Sequence, residues 1–505
     1  MAKSVWHRLV ALGTAAVMLL TVCAGCTGED KPDSDVESTD NRTDYSKYIE
    51  VSVEQFSKNR GEWDVDSILL SNIFTDGVVL QREQGIRVFG EAPNGQPVTV
   101  ALGEDTVTVT ADAENGGFIA TLPPRKAATG LTLTVTSGEE TVTVKDVCVG
   151  DVFLCGGQSN MQLTMDDTEW YGDFYLSQFK DYQDDPLLRQ YLVEFGASTT
   201  PQLDSISVGW VEAKAETFKK FAPLAYLFAC QLRQREGDIP VGLVMCSAGG
   251  SAIQLWMPEA DQVSDGDSDS QFYSQRAQLY NNMVAPLMPY TVSAVLWYQG
   301  CANATYDKEG VYELLLERLI SSWRRELYSD TVPFYVIELA GWNDRRFVTL
   351  RQNQRTVSDK LDNVFLIANY DLGHPSNIHP TTKDVLAVRL ANAYRATRWY
   401  EACEWQAPRL DTVAVADGKA TVTFTYVYDG LKEEQALNGF AVCDENGAWY
   451  DAQATVSGKD TVTVWCDEVA TPTGVKYAQL GYLADVNAYN SADLPVLPFI
   501  WQEEK

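Results

Sequence analysis

The chain has 505 residues and carries 39 Lys and Arg against 70 Asp and Glu, a formal net charge of -31. An excess of this size argues against nucleic acid and anionic lipid headgroups as partners, and the length accommodates two or three domains with full-sized cores. Histidine is scarce, three residues in all, so chemistry that needs an imidazole has few places to be.

The N-terminus has the layout of an export signal: Lys3 and Arg8 lead into an apolar stretch over residues 9–22, followed by small residues before Cys26. The stretch is too short to span a bilayer comfortably. Cys23-Ala24-Gly25-Cys26 resembles a bacterial lipoprotein processing site, which implies a lipid anchor at Cys26. Ordinary cleavage is the other outcome and releases a secreted protein. Both make the protein extracytoplasmic, at the cell surface or in the periplasm when anchored, and the anchor is the only membrane contact expected. His7 lies in this segment, residues 1–26, and leaves with it, so His374 and His379 are the imidazoles that stay. Residues 27–66 read as an acidic tether and lead-in, because most of the stretch is rich in Asp, Glu, Ser and Thr and buries too little to repay the entropy of ordering.

Residues 67–150 alternate with period two in Val98-Thr99-Val100-Ala101, Val107-Thr108-Val109-Thr110 and Leu131-Thr132-Leu133-Thr134-Val135, separated by Asn94-Gly95, Asn115-Gly116-Gly117 and Ser137-Gly138. That pattern predicts a β-sandwich module. From Asp151 the texture changes. Val152-Phe153-Leu154, Val241-Gly242-Leu243-Val244-Met245, Ala294-Val295-Leu296-Trp297 and Phe334-Tyr335-Val336-Ile337 are apolar runs without alternation, suited to strands covered on both faces. Helical patterns over residues 224–235, 312–327 and 381–397 lie between or after them. The alternation predicts an α/β domain with a mostly parallel sheet over residues 151–404, with ligands at the carboxyl ends of its strands. Lys419-Ala420-Thr421-Val422-Thr423-Phe424 and Thr461-Val462-Thr463-Val464-Trp465 return to period two and predict a closing β-rich module over residues 405–505. The cysteines outside the signal are scattered, with no zinc-like spacing, and a bridge between Cys443 and Cys466 is left open.

Gly156-Gly157-Gln158-Ser159-Asn160-Met161 follows the strand at Asp151, so Ser159 is expected where a strand turns into a helix at the sheet's carboxyl edge. Glycines permit the turn, and a helix N-terminus offers amide donors to a developing oxyanion. A serine needs a base to become a nucleophile; otherwise it would simply cap the helix. His379, on a loop before Pro380 and a helix, is placed where catalytic groups often sit.

The ordered blocks Gly150-Asp151-Val152 through Gln158-Ser159-Asn160-Met161, Val241-Gly242-Leu243 with Ser247-Ala248-Gly249-Gly250-Ser251-Ala252-Ile253, Trp297-Tyr298-Gln299-Gly300 with Asn303-Ala304, and Ile378-His379-Pro380 resemble those of bacterial sialate O-acetylesterases, of the SGNH hydrolase superfamily. The likeness extends to both flanking modules through Leu70-Ser71-Asn72-Ile73-Phe74, Val79-Leu80-Gln81-Arg82, Asn487-Ala488-Tyr489-Asn490 and Leu494-Pro495. The resemblance implies an SGNH-type domain between β modules and a serine esterase that removes acetyl groups from sugar hydroxyls, most of all from O-acetylated sialic acids, with no metal or cofactor. It implies Ser159 as nucleophile, His379 as base, and an oxyanion site from the Ser159 N–H, Gly249 or Gly250, and Asn303.

Two positions depart from the family pattern. Cys301 and Ala302 stand where relatives usually carry Glu and Ser, and Cys301 reads as packing with no cationic neighbour in view. Many relatives place Asp just before the histidine, whereas Ser376 and Asn377 stand here. Asp371 is the nearest upstream carboxylate and the candidate third member; a Ser and His dyad oriented by a backbone carbonyl is the other arrangement. His374 stands where relatives often have Asp. Trp170, Tyr171, Trp256 and Trp342 are candidates to stack on a sugar, with Trp256 preferred for its place after the second block, and Arg345 and Arg346 are candidates to meet a carboxylate. The remaining readings are an esterase of acetylxylan or another glycan, and a carbohydrate-binding surface protein whose esterase site has decayed.

Overall fold

A computed structural model describes residues 51–57, 65–179, 184–262, 274–306, 311–432 and 436–503. The export signal, Cys26, His7 and the acidic stretch as far as residue 50 lie outside the described residues; Val51 and Phe56, read as part of the tether and lead-in, are instead buried in the apolar core. The central sheet is built from seven strands, β1 (Glu140–Gly157), β2 (Asp185–Leu192), β3 (Trp210–Ala213), β4 (Val241–Ser247), β5 (Ala294–Tyr298), β6 (Phe334–Ile337) and β7 (Val364–Ile367). Their order is β3-β2-β4-β1-β5-β6-β7, parallel throughout except for the edge strand β3, which runs antiparallel to β2. Every residue of β4, β5 and β6 is buried, which is why these segments read as continuous apolar runs rather than alternating ones.

Helices cover the sheet. Pro223–Arg235 (α2) begins with proline, whose missing N–H would have no intrahelical partner in the first turn, and ends in Arg233 and Arg235, which complement the helix dipole. Val311–Glu326 (α4) buries Tyr312, Leu315, Leu316, Leu319, Ile320 and Trp323, one face at helical spacing. Arg346–Lys360 (α5) and Lys383–Arg398 (α6) complete the layers, with two short helices, Ser159–Gln162 (α1) and Cys301–Tyr306 (α3), at strand ends.

β1 is 18 residues long. Its first half pairs antiparallel with Ala128–Ser137 in the N-terminal region, and from Asp151 it pairs in parallel with β4. The position read as a domain boundary, 150/151, therefore falls within one continuous strand. A second sheet of Leu69–Leu70, Ile86–Glu91 and Gly117–Leu122 joins Val88, Phe118 and Ala120 to the same apolar cluster as Val98, Val100 and Leu133. At the other end, two four-stranded antiparallel sheets enclose Val422, Val462, Val464, Val442 and Val475, which accounts for the period-two patterns there. Cys443 and Cys466 are both free thiols. Among the described residues, no helix is long and apolar enough to cross a membrane.

Candidate active site

Four strands deliver the site at their carboxyl ends: β1 leads to Ser159, β4 to Gly249, β5 to Asn303 and β7 to the loop with His379. Gly157 ends β1 with φ of 136°, and a Cβ there would lie 2.2 Å from the carbonyl oxygen of Tyr298, so only glycine lets the two strands approach. The Gln158 N–H donates to that same carbonyl at 3.0 Å. Gln158 is the helix cap residue and makes no side-chain capping bond. Ser159 is therefore the first residue of α1, half-exposed, with an amide that has no intrahelical acceptor. Its hydroxyl is turned elsewhere.

It meets His379. Ser159 Oγ and His379 Nε2 lie 2.7 Å apart. The loop is fixed by its backbone: the His379 N–H donates to Asn377 Oδ1 at 2.9 Å, and the Tyr175 hydroxyl donates to the Thr381 carbonyl at 3.1 Å. The Trp170 indole stands edge-on to the imidazole, ring centres 4.2 Å apart. Burial, helped by the charge of Lys383, lowers the His379 pKa to about 4, so the ring is neutral and able to accept a proton at neutral pH. His374 is exposed, and its Nδ1 accepts the N–H groups of Ser376 and Asn377. It shapes the turn.

Three expectations are corrected. Asp371 is not the partner of the histidine: Arg389 grips both its carboxylate oxygens at 2.7 and 2.8 Å, and the Tyr489 hydroxyl donates to one of them at 3.1 Å. His379 Nδ1 is buried without a hydrogen-bond partner among the described residues, and Asn377 reaches the backbone of His379 instead of its ring. Trp256 is not a sugar platform. It is fully buried, its indole N–H donates to Ser251 Oγ at 2.9 Å, and its ring packs edge-on to Trp297. The aromatic beside the base is Trp170, 41 % exposed; Tyr171 is buried and Trp342 packs on Phe347. Cys301 does have a cationic neighbour, Lys383, yet burial outweighs it and pushes the thiol up to about 12. Arg345 and Arg346 are exposed, with Arg346 paired to Asp344 at 2.6 Å.

The expected oxyanion donors converge unevenly. A Cβ on Gly249 would lie 3.6 Å from Ser159 Cβ, so this glycine borders the nucleophile, and its N–H donates to Gln162 Oε1 at 2.6 Å. Gly250 is exposed, with φ of 70°. Asn303 is buried: its Oδ1 accepts from Ile253 N–H and Gln299 Nε2, and its Nδ2 donates to Gln254 Oε1 at 2.9 Å. Gln162 was not singled out from sequence, though it directly follows the first block. Nor was Lys383, buried four residues beyond the histidine, with burial lowering its pKa to about 7. A lysine opening a helix carries no sequence signal that it turns inward. Among the described residues, no group of three His, Cys, Asp or Glu is placed to hold a metal.

A hydroxyl hydrogen-bonded to a neutral imidazole, beside helix-start and glycine amides, suits acyl transfer. Residues 149–396 match the family described as carbohydrate esterase, sialic acid-specific acetylesterase. The structure is similar to that of a carbohydrate acetylesterase from Xanthomonas citri, with a TM-score of 0.77, 31% identity, and coverage of 86% of this chain and 99% of that one. Human sialate O-acetylesterase is 24% identical over 486 residues, spanning 85% of this chain and 92% of the relative, and the mouse protein is 24% identical over 504 residues, spanning 84% and 92%. With fold, blocks and coverage in agreement, the chain belongs to the sialic acid-specific acetylesterase family of carbohydrate esterases.

Proposed function

We propose that this protein removes acetyl esters from sugar hydroxyls, with O-acetylated sialic acids as the preferred substrates, through an acetyl-enzyme on Ser159. The observation that carries this is the 2.7 Å contact between Ser159 and His379, which sequence places far apart. His379 takes the hydroxyl proton as Ser159 Oγ attacks the acetyl carbonyl carbon. The carbonyl oxygen becomes an oxyanion near the Ser159 and Gly249 amides, Gln162 releasing the latter, with Asn303, whose Nδ2 donates to Gln254 at rest, as the third donor. Collapse expels the sugar alkoxide, which receives the proton from His379. Water, deprotonated by the same ring, then attacks the acetyl carbon and frees Ser159 and acetate. Each oxyanion donor typically supplies about 3 to 4 kcal/mol to such a transition state.

Trp170 supports the sugar assignment, since a half-exposed indole beside the base offers a face to a pyranose. The export reading rests on residues 1–26: anchoring at Cys26 predicts that Cys26→Ala moves the protein from the membrane fraction to the soluble one. Acetate release across a panel of acetylated sialic acids, acetylxylan and other acetylated glycans tests substrate and chemistry together. Ser159→Ala and His379→Ala should each abolish release while circular dichroism stays unchanged; undiminished turnover by Ser159→Ala contradicts the nucleophile. The unpartnered Nδ1 of His379 favours one rival, a glycan-binding protein whose site has decayed. Glycan binding without labelling of Ser159 by a fluorophosphonate would select it.

A further inference from the structure

Asn160, the residue after the nucleophile, reaches both ends of the segment that carries the base. Its Nδ2–H donates to the Ile378 carbonyl at 3.0 Å, and its Oδ1 accepts from Lys383 Nζ at 2.6 Å. Lys383 is 1 % exposed, and its Nζ lies 5.2 Å from the centre of the Tyr298 ring. No acidic side chain among the described residues forms an ion pair with it, an expensive arrangement for a lysine and one that an apolar residue would avoid.

We propose that Lys383 is a positioning residue for the reaction: through Asn160 it clamps the base loop onto the nucleophile turn, and when protonated it places a positive charge on the segment that carries His379. This rests on Ser159 and His379 acting as nucleophile and base. The groups facing the Lys383 side chain are Asn160, Tyr298 on β5, Cys301 on α3 and His379, while Tyr175 from the helix Phe174–Gln178 meets the Lys383 backbone. Burial raises Tyr298, Tyr175 and Cys301 above their ordinary values, so these three stay neutral through the working range. Below about pH 7, where Lys383 is protonated, the cation therefore acts on His379, whose own proton affinity it depresses. A weaker base is the cost, and a stronger conjugate acid is the gain at the step where the alkoxide leaves.

The test is the pH profile of acetate release by the full chain, comparing wild type, Ser159→Ala, Lys383→Met, Lys383→Arg, Asn160→Ala and the Asn160→Ala/Lys383→Met double variant, with folding followed by circular dichroism. Lys383→Met should lose on the order of 10- to 100-fold in kcat with KM little changed. Its acid limb in kcat/KM should move to higher pH, because removing a cation raises the affinity of His379 for a proton. Lys383→Arg keeps the charge and should leave the limb at its wild-type position. Asn160→Ala should lower kcat without moving the limb, and the double variant should be no slower than the slower single. If Lys383→Met does not fold, Lys383→Gln takes its place with the same predicted movement of the limb. An unmoved limb in Lys383→Met, or losses that multiply in the double variant, would overturn the proposal while leaving the esterase reading in place. Turnover surviving Ser159→Ala would remove that reading, and this one with it.

Discussion

His379 illustrates how far a residue's chemistry departs from its free value. A base must be unprotonated to accept from Ser159, and burial with Lys383 lowers this imidazole to about 4 from its ordinary 6.5. Activity should therefore persist at pH 5 and fall away as pH drops through about 4; a kcat/KM profile breaking near 6.5 would contradict the burial argument. Asp371 makes the opposite case. As a triad acid, its change to Asn would cost about 10⁴ in kcat. As the partner of the buried Arg389, it should instead cost roughly 3 to 5 kcal/mol of stability, because an uncompensated guanidinium is left inside. Urea unfolding beside kcat at low temperature separates the two, and we expect near wild-type turnover from the folded fraction. The identities of Ser159 and His379 were legible in sequence because the blocks name residue types that chemistry constrains. The partner of Asp371 was not, since an arginine one helix away leaves no local signature. Trp256 misled for a related reason: closeness to a block in sequence does not say which face a side chain turns to.

At the scale of elements, runs without alternation were legible as β1, β4, β5 and β6, and the helical patterns at residues 224–235, 312–327 and 381–397 correspond to α2, α4 and α6. The strands β2, β3 and β7 were not identified. β2 buries Arg189 and Gln190 in its middle, which breaks an apolar run, while β3 is a four-residue edge strand and β7 a four-residue strand; short or interrupted runs are decided by tertiary context. The crossing of β1 from one sheet into another was also hidden, because composition changes at Asp151 while the backbone simply continues. Its end is the sensitive point. Gly157→Ala would set a methyl 2.2 Å from the Tyr298 carbonyl at a left-handed φ, so it should separate β1 from β5. We expect a large fall in melting temperature or no soluble protein, whereas an unchanged thermal transition would show that the turn tolerates a side chain.

For the whole molecule, the C-terminal sheets are fastened to the catalytic layer by buried arginines. Arg351 donates to the carbonyls of Gly481 and Leu480 at 3.1 and 2.6 Å, Arg355 donates to the Pro498 carbonyl, and the Tyr370 hydroxyl donates to the Val496 carbonyl at 2.8 Å. Each buried donor left without its acceptor costs about 1 to 3 kcal/mol, more when charged, against a total stability of roughly 5 to 15. A chain ending at residue 404 should therefore fail to fold, as read by hydrogen exchange or soluble yield; full activity from that fragment would make the module dispensable. Sequence patterning anticipated the module but not its attachment, because main-chain acceptors are invisible in side-chain identity. The account as a whole turns on where an acetyl group rests during turnover. Quenching the reaction in acid and mapping the peptides by mass spectrometry should find acetyl on Ser159, and none when His379 is alanine. Acetyl carried by another residue, or none in an enzyme that is turning over, would contradict it.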